Sequence, residues 1–279
     1  MPVLPFSPRT RPTLLVLNAY NGAPEAADVA DGLFLRFPPA GWPYKLGWPF
    51  KLFADMHPCF TSTVLHGGLD PVRPWDDWKR ELTNTVDGAS GRFFLCSGNA
   101  PLSLWMLLGH LLWNKGKGLM HVLVVNFRKH SGSQTFTIET SSVTSTSSTG
   151  RLLVSAPPQE AVPANAVALL YVSINASYDV NSEDVNHLPD DLGGPVRIWR
   201  LRPQSGIVNV DQANLGRIAD EIREVLDDIL RRKVGTLMLA TSCVDAVAFV
   251  MGTLVNRQMF RRVFLLEYVQ GRYVKTIKM

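Results

Sequence analysis

The chain has 279 residues, with 28 Lys+Arg against 24 Asp+Glu, so its formal net charge is +4. Apolar residues make up 46% of it, which suits a packed interior and excludes a disordered chain, a collagen-like fibre and a coiled-coil rod. A charge of +4 is too weak to argue for a duplex-DNA binder, although a local basic patch could still meet a small anion. The length allows one large α/β domain or two of roughly 130–140 residues.

Cys59, Cys96 and Cys243 are odd in number and widely spaced, so neither a disulfide framework nor a zinc set follows from them. Reduced thiols in a cytoplasmic protein are expected. The first dozen residues lack the apolar run of a signal peptide. The longest apolar stretch, 102–113, is far short of the roughly 20 residues that span a bilayer. No membrane association, metal or cofactor is expected.

In chain order, 13–18 (TLLVLN) reads as a buried strand. Residues 19–70 are rich in Gly, Pro and aromatics, and the prolines argue against a regular central element there. Trp75, Trp78 and Leu82 fall on one face of a helix over 74–86. Residues 92–96 (RFFLC) read as a strand, 97–101 (SGNAP) as a turn, and 102–113 as an apolar helix with Pro101 at its first position. Strands follow at 119–127 and 134–139. The polar run 140–150 (TSSVTSTSSTG) is a linker that divides the chain almost in half.

The second half opens with a strand at 166–173 (AVALLYVS), a polar loop, and a further strand at 196–201. The clearest helix runs over 211–233. Leu215, Ile218, Ala219, Ile222, Val225, Leu226, Ile229 and Leu230 share one face, and Arg231, Arg232 and Lys233 complement its negative end. A strand at 236–241, an apolar helix at 243–255 and strands at 263–269 and 273–277 complete the chain.

The halves repeat one order: strand, long irregular region, amphipathic helix, strand, apolar helix, strand, strand. Residues 91–98 (GRFFLCSG) lie over 235–242 (GTLMLATS). One residue of slippage places 104–112 over 247–255, so that Gly109 and Gly252 coincide. A helical Gly costs about 1 kcal/mol relative to Ala, which points to a close helix–sheet approach at each. The expected fold is therefore α/β: two Rossmann-like lobes, residues 1–150 and 151–279, related by internal duplication, with mainly parallel sheets flanked by helices.

Ligands of such sheets sit outside the carboxyl ends of the strands, near helix N-termini. The candidate ligand-binding residues are Asn18, Tyr20, Asn21, Ser97, Gly98, Asn99, Ser173, Asn175, Tyr178, Thr241, Ser242 and Cys243. Most carry hydroxyl or amide groups suited to phosphate, ribose or base edges. Lys45 and Trp48, in an aromatic- and lysine-rich insert, and Arg128, after a strand, are candidate phosphate or base contacts. The insert could equally be a loop packed by its own aromatics, and Arg128 a solvated turn residue.

Catalytic patterns fail. A nucleophile elbow around Ser97 needs glycines where Leu95 and Asn99 stand. Cys243 opens a helix but has no base signalled beside it. Ser97-Gly98-Asn99 is not a dinucleotide fingerprint, and neither His57 and His66 nor His110 and His121 have zincin spacing. No catalytic residue is expected.

The run 237–252 (LMLATSCVDAVAFVMG) resembles the SAVED domain family. The resemblance continues through 264–271 (FLLEYVQG), Tyr273 and 169–174 (LLYVSI), ahead of the long amphipathic helix. That family is described as two fused CARF-like (CRISPR-associated Rossmann) halves, which agrees with the duplication. The resemblance covers roughly residues 13–279. It implies a non-enzymatic sensor of cyclic oligonucleotide messengers, such as cyclic oligoadenylate, in CBASS or type III CRISPR anti-phage defence. It also implies head-to-tail homo-oligomers on ligand binding. Family members usually carry a fused effector. Here only about a dozen residues precede the first strand, so the effector is expected in a separate polypeptide, or else the chain is part of a longer protein. The alternatives are a ring nuclease that degrades the same messenger and a ligand-independent assembly subunit.

Overall fold

The computed structural model describes residues 13–18, 51–53, 75–88, 93–115, 121–126, 134–139, 150–188, 192–256, 258–269 and 271–279. The elements are β1 (Thr13–Asn18), β2 (Lys51–Phe53), α1 (Trp75–Gly88), β3 (Phe93–Asn99), α2 (Leu102–Lys115), β4 (His121–Asn126) and β5 (Gln134–Glu139). They continue with β6 (Val154–Ala156), β7 (Val167–Ser173), β8 (Val196–Arg202), α3 (Gln212–Arg231), β9 (Thr236–Ser242), α4 (Asp245–Leu254), β10 (Arg262–Val269) and β11 (Arg272–Lys278).

Two sheets form, in the orders β2-β1-β3-β4-β5 and β6-β8-β7-β9-β10-β11. In each, four neighbouring strands run parallel and the last is antiparallel: β5 on β4 in the first, β11 on β10 in the second. The second sheet is thus the first with β6 added antiparallel to β8. The expected two-lobed α/β fold is what the chain adopts. Unforeseen were β6 and the short β2, which lies in the proline-rich stretch and is confined to the sheet edge, where the ladder demands least.

The apolar residues 167–173 are buried throughout, as strands covered on both faces must be. On one face, the helices and both sheets share a continuous core that includes Leu15, Trp78, Phe94, Trp105, Leu170, Trp199, Ile222 and Phe249. The other face of the second sheet has its own core, where Val180, Val185, Leu188 and Leu192 cover Tyr171, Met238 and Leu266. Helix α1 buries Trp78, Leu82 and Val86. Helix α3 buries seven of the eight residues placed on its inner face, with Leu230 partly buried against the same core. Asp211 caps α3 by accepting from the Asn214 amide at 2.8 Å.

Helices α2 and α4 cross where the two halves meet. A Cβ built on Gly109 would strike the Phe249 carbonyl, and one on Gly252 would strike the Met106 carbonyl. The contact is reciprocal, because Met106 and Phe249 each stand three residues before the glycine of their own helix. The glycines therefore permit helix–helix approach between halves, not the helix–sheet approach expected from the sequence. His110 lies beside this crossing, with Nδ1 2.9 Å from the Val255 carbonyl, and is a satisfied core histidine.

Candidate ligand-binding crevice

Parallel strands bring their carboxyl ends to one edge of a sheet, and register decides which residues meet there. In the first sheet Asn18 pairs with Asn99, Gly98 with Leu17, and Ser97 with both Val16 and Val125. In the second sheet Ser173 pairs with Ser242, and Val172 with Thr241. Counted from the strand ladders, Asn18 and Asn99 occupy the positions that Ser173 and Ser242 occupy in the other half. Ser97, Gly98 and Asn99 continue β3 instead of forming a turn, because all three remain in the ladder with β1 and Ser97 also in that with β4. Pro101 precedes α2, its carbonyl accepting from the Leu104 amide at 3.0 Å. Tyr20, Asn21, Lys45, Trp48 and Arg128 lie outside the described residues.

On the second half the edge is built by local hydrogen bonds. Ser173 Oγ is buried; it donates to the Asn175 carbonyl at 2.8 Å and accepts from the Asn175 amide at 3.1 Å. Asn175 Oδ1 then accepts from the Ser177 amide at 2.9 Å. These small side chains shape a tight turn that leaves Tyr178 55% exposed. Asp179 is held by Arg200 and by Arg202, each at 3.0 Å, which ties the turn to the end of β8.

Thr241 Oγ1 donates to the Val172 carbonyl at 2.8 Å and lies 2.8 Å from Cys243 Sγ. Helix α4 begins at Asp245, two residues later than the sequence pattern indicates, so Cys243 stands just before it. The N-cap residue Val244 supplies no side-chain bond to the first turn of α4.

The Cys243 thiol is pushed up to about 12, chiefly by desolvation, and the Asp245 and Glu267 charges push the same way. Cys96 is raised by its burial. Neither cysteine is a nucleophile at neutral pH. Alkylation of native protein with iodoacetamide at pH 8, read per cysteine by mass spectrometry, is expected to leave Cys243 at least about 100-fold slower than in denaturant. Native Cys243 reacting as fast as the unfolded thiol contradicts this environment.

Three tyrosines and one carboxylate complete the edge, and none of them was among the candidate ligand-binding residues. The Tyr171 hydroxyl lies near the Ser173, Ser242 and Tyr273 side chains. Tyr273 packs edge-to-face on Tyr171 at 6.2 Å and on Tyr268 at 5.1 Å, and Tyr268 is exposed. Burial raises both the Tyr171 and Tyr273 hydroxyls. Glu267, at the end of β10, accepts from the Ser103 amide in the first turn of α2 at 2.6 Å. That bond joins the carboxyl edge of the second sheet to the helix that follows the carboxyl end of β3. The carboxyl edges of the two sheets therefore adjoin at the boundary between the halves. They offer hydroxyls, a helix start and exposed aromatic faces: donors for phosphate and platforms for bases. Among the described residues no cluster of His, Cys, Asp and Glu could hold a metal, and no helix is long and apolar enough to cross a membrane.

The family model for "SMODS-associated and fused to various effectors sensor domain" (SAVED) matches residues 78–279. No curated protein is significantly similar in sequence. Solved structures share the fold. The Acinetobacter baumannii Cap4 SAVED/CARF-domain containing receptor with the cyclic trinucleotide 2′3′3′-cAAA has a TM-score of 0.60 at 13% identity, over 96% of this chain and 51% of that one. The same receptor with 3′3′3′-cAAA gives 0.61 at 12% identity, again over 96% and 51%. The Moraxella osloensis Cap4 SAVED/CARF-domain containing receptor gives 0.55 at 12% identity, over 96% and 50%. The chain thus spans about half the length of these receptors. With a family model that matches from Trp78 to the final residue, and a sheet repeated in both halves, the chain belongs to the SAVED family of sensor domains.

Proposed function

We propose that the chain is a cytoplasmic receptor for a cyclic oligonucleotide of the cyclic oligoadenylate class, acting as a sensor in anti-phage defence of the CBASS or type III CRISPR kind. The observation that carries this reading is the pair of topologically equivalent sheets whose carboxyl edges are joined by the Glu267–Ser103 hydrogen bond. A ring of repeated nucleotides presents similar groups to similar edges. Residues 1–150 and 151–279 form the two CARF-like halves of one sensor. Asn18, Tyr20, Asn21, Ser97, Gly98 and Asn99 contribute from the first; Ser173, Asn175, Tyr178, Thr241, Ser242 and Cys243 contribute from the second. Lys45, Trp48 and Arg128 add phosphate or base contacts. Membership of a sensor family and the cyclic trinucleotides held by the Cap4 structures support the ligand class.

Bound protomers assemble head to tail and engage an effector carried on a separate polypeptide. Linkage is the physical reason: a ligand that favours the assembled state shifts the population toward it. Such heterologous contacts need not close on themselves.

Calorimetric titration with 3′3′3′-cAAA, 2′3′3′-cAAA and a cyclic tetra-adenylate is the test, followed by gel filtration and chromatography of the recovered ligand. Binding with intact ligand and a shift to larger size is expected. Ser242→Trp, which crowds the end of β9, is expected to weaken binding by about tenfold to 100-fold, or about 1.4–2.8 kcal/mol. Absence of binding to any ring removes the receptor reading. Linear products recast the protein as a ring nuclease, and oligomers of unchanged size without ligand recast it as an assembly subunit.

A further inference from the structure

The duplicated sheets differ at one position that bears on charge. From the ladders β3–β4 and β9–β10, Glu267 in the second half stands where Asn126 stands in the first. Ser103 at the start of α2 likewise corresponds to Ala246 at the start of α4. Only one of the two cross-half positions is therefore a carboxylate. Glu267 is partly buried, reaches across the boundary, and accepts the Ser103 amide at 2.6 Å in the first turn of a helix that holds no acidic residue there. Among the described residues, no Lys or Arg forms an ion pair with it.

We propose that Glu267 makes ligand binding in this crevice proton-coupled, because it is a carboxylate fixed across the junction of the halves beside the place where an anionic ring would lie. This rests on the receptor reading above. The ionisable groups around it are few. Tyr273 of β11 and Cys243 before α4 both sense its charge, and Asp245 at the start of α4 adds a second negative charge close by. Helix α2 brings Ser103 and, two and three turns further on, His110 and Asn114, which bond each other. On β11, Lys275 is turned over the Phe264 ring and Arg272 pairs with Val269 at the hairpin end. On β10, Tyr268 faces Tyr273. Strand β9 carries no charged residue.

Burial lifts the Glu267 carboxyl to about 7, against the lowering effect of the Ser103 amide. Near neutral pH it is therefore part protonated. A ring phosphate bound nearby raises it further; one added unit corresponds to a single negative charge about 12 Å away at an effective dielectric near 20. Binding then draws a proton from solvent. With a pKa of about 7 free and about 8 bound, affinity falls about fivefold from pH 6 to pH 8.

The test is calorimetric titration of 3′3′3′-cAAA at pH 6, 7 and 8, repeated in buffers of different ionisation enthalpy. Wild type is expected to take up a fraction of a proton at pH 7 and to lose about fivefold in affinity by pH 8. Glu267→Gln keeps an acceptor for the Ser103 amide. It is expected to bind at all three pH values with no buffer dependence and a flat profile. A wild-type profile that is already flat, or a Glu267→Gln profile as steep as wild type, overturns the proposal. The ligand-free protein supplies an independent arm: a carboxyl-specific titration of Glu267 by isotope-edited NMR is expected near pH 7. A midpoint at the ordinary carboxyl value overturns the inference even if the ring binds. Failure of every ring to bind removes both the receptor reading and this inference, whereas binding without proton uptake removes only this one.

Discussion

Gly252→Ala is expected to destabilise the protein by about 3 kcal/mol, and Gly109→Ala by a similar amount. The new Cβ at Gly252 would collide with the Met106 carbonyl and stand 2.7 Å from its carbon and 3.0 Å from the His110 amide nitrogen. The atoms struck are backbone within a helix, so no rotamer change relieves the collision. Helices α2 and α4 must separate instead, and dispersion along their packed sides is lost. At this chain length the fall in melting temperature is about 6–12 °C. Because both glycines serve one crossing, the double substitution is expected to cost less than the sum, since the first already opens the gap. Gly88→Ala is the control, as a Cβ there meets nothing within 4 Å. Thermal unfolding read by circular dichroism decides the matter. Wild-type stability of Gly252→Ala contradicts the close crossing. Since the same crossing holds the two halves together, a partly tolerated variant is also expected to bind a ring less tightly than wild type.

Glu221→Ala is expected to cost about 2–4 kcal/mol. Glu221 sits on α3, and its two oxygens accept the Leu152 amide at 2.8 Å and the Leu153 amide at 3.0 Å. The segment entering the second half is thereby fastened to its longest helix. Leu153 is fully buried, so its amide has no route to water once the carboxylate is gone. Around this clamp, Arg151 pairs with Glu224 at 2.8 Å, and Arg217 donates to the Gly150 carbonyl. These exposed contacts add little by themselves. Glu221→Gln retains one acceptor oxygen and is expected to lose about half as much. Denaturant unfolding of the two variants checks the order. Equal stability of Glu221→Ala and wild type is incompatible with a buried clamp. Burial raises the Glu221 carboxyl and both backbone amides oppose that. Because the folded-state value is raised, this group favours the folded state below its unfolded value and loses that contribution as pH rises through the folded one.

Much of the molecule was legible in its residue order. Periodicity placed α3 and its buried face, since a stripe at 3.6-residue spacing is a local property. Runs of apolar residues located β1, β3, β7, β9 and β10, because parallel strands covered on both faces need little else. The shared order of elements and the overlay of 91–98 on 235–242 and of Gly109 on Gly252 pointed to duplication, and the two strand orders repeat accordingly. Hydroxyl- and amide-rich strand ends indicated where a ligand would lie. The structure places Ser173 beside Ser242 and Asn18 beside Asn99 at those ends.

Other features were not readable from neighbours along the chain. In 264–271 (FLLEYVQG), Glu267 reads as an ordinary polar residue of an alternating strand. Its partner, the Ser103 amide, lies 164 positions away. Ser97 to Asn99 carry turn-forming residue types, yet the ladder with β1 holds them extended, because tertiary pairing outweighs local preference. The strand β6, only three residues long, exists because β8 offers it an edge. Residue order by itself determined the helices and the long strands, their repetition and the end of each sheet at which polar residues gather, since those depend on spacing within a few turns or strand lengths. Tertiary structure alone decided that the two glycines meet across the halves and that a carboxylate of one half rests on a helix of the other. Such contacts join residues far apart in the chain and arise only once both sheets have packed on a shared core.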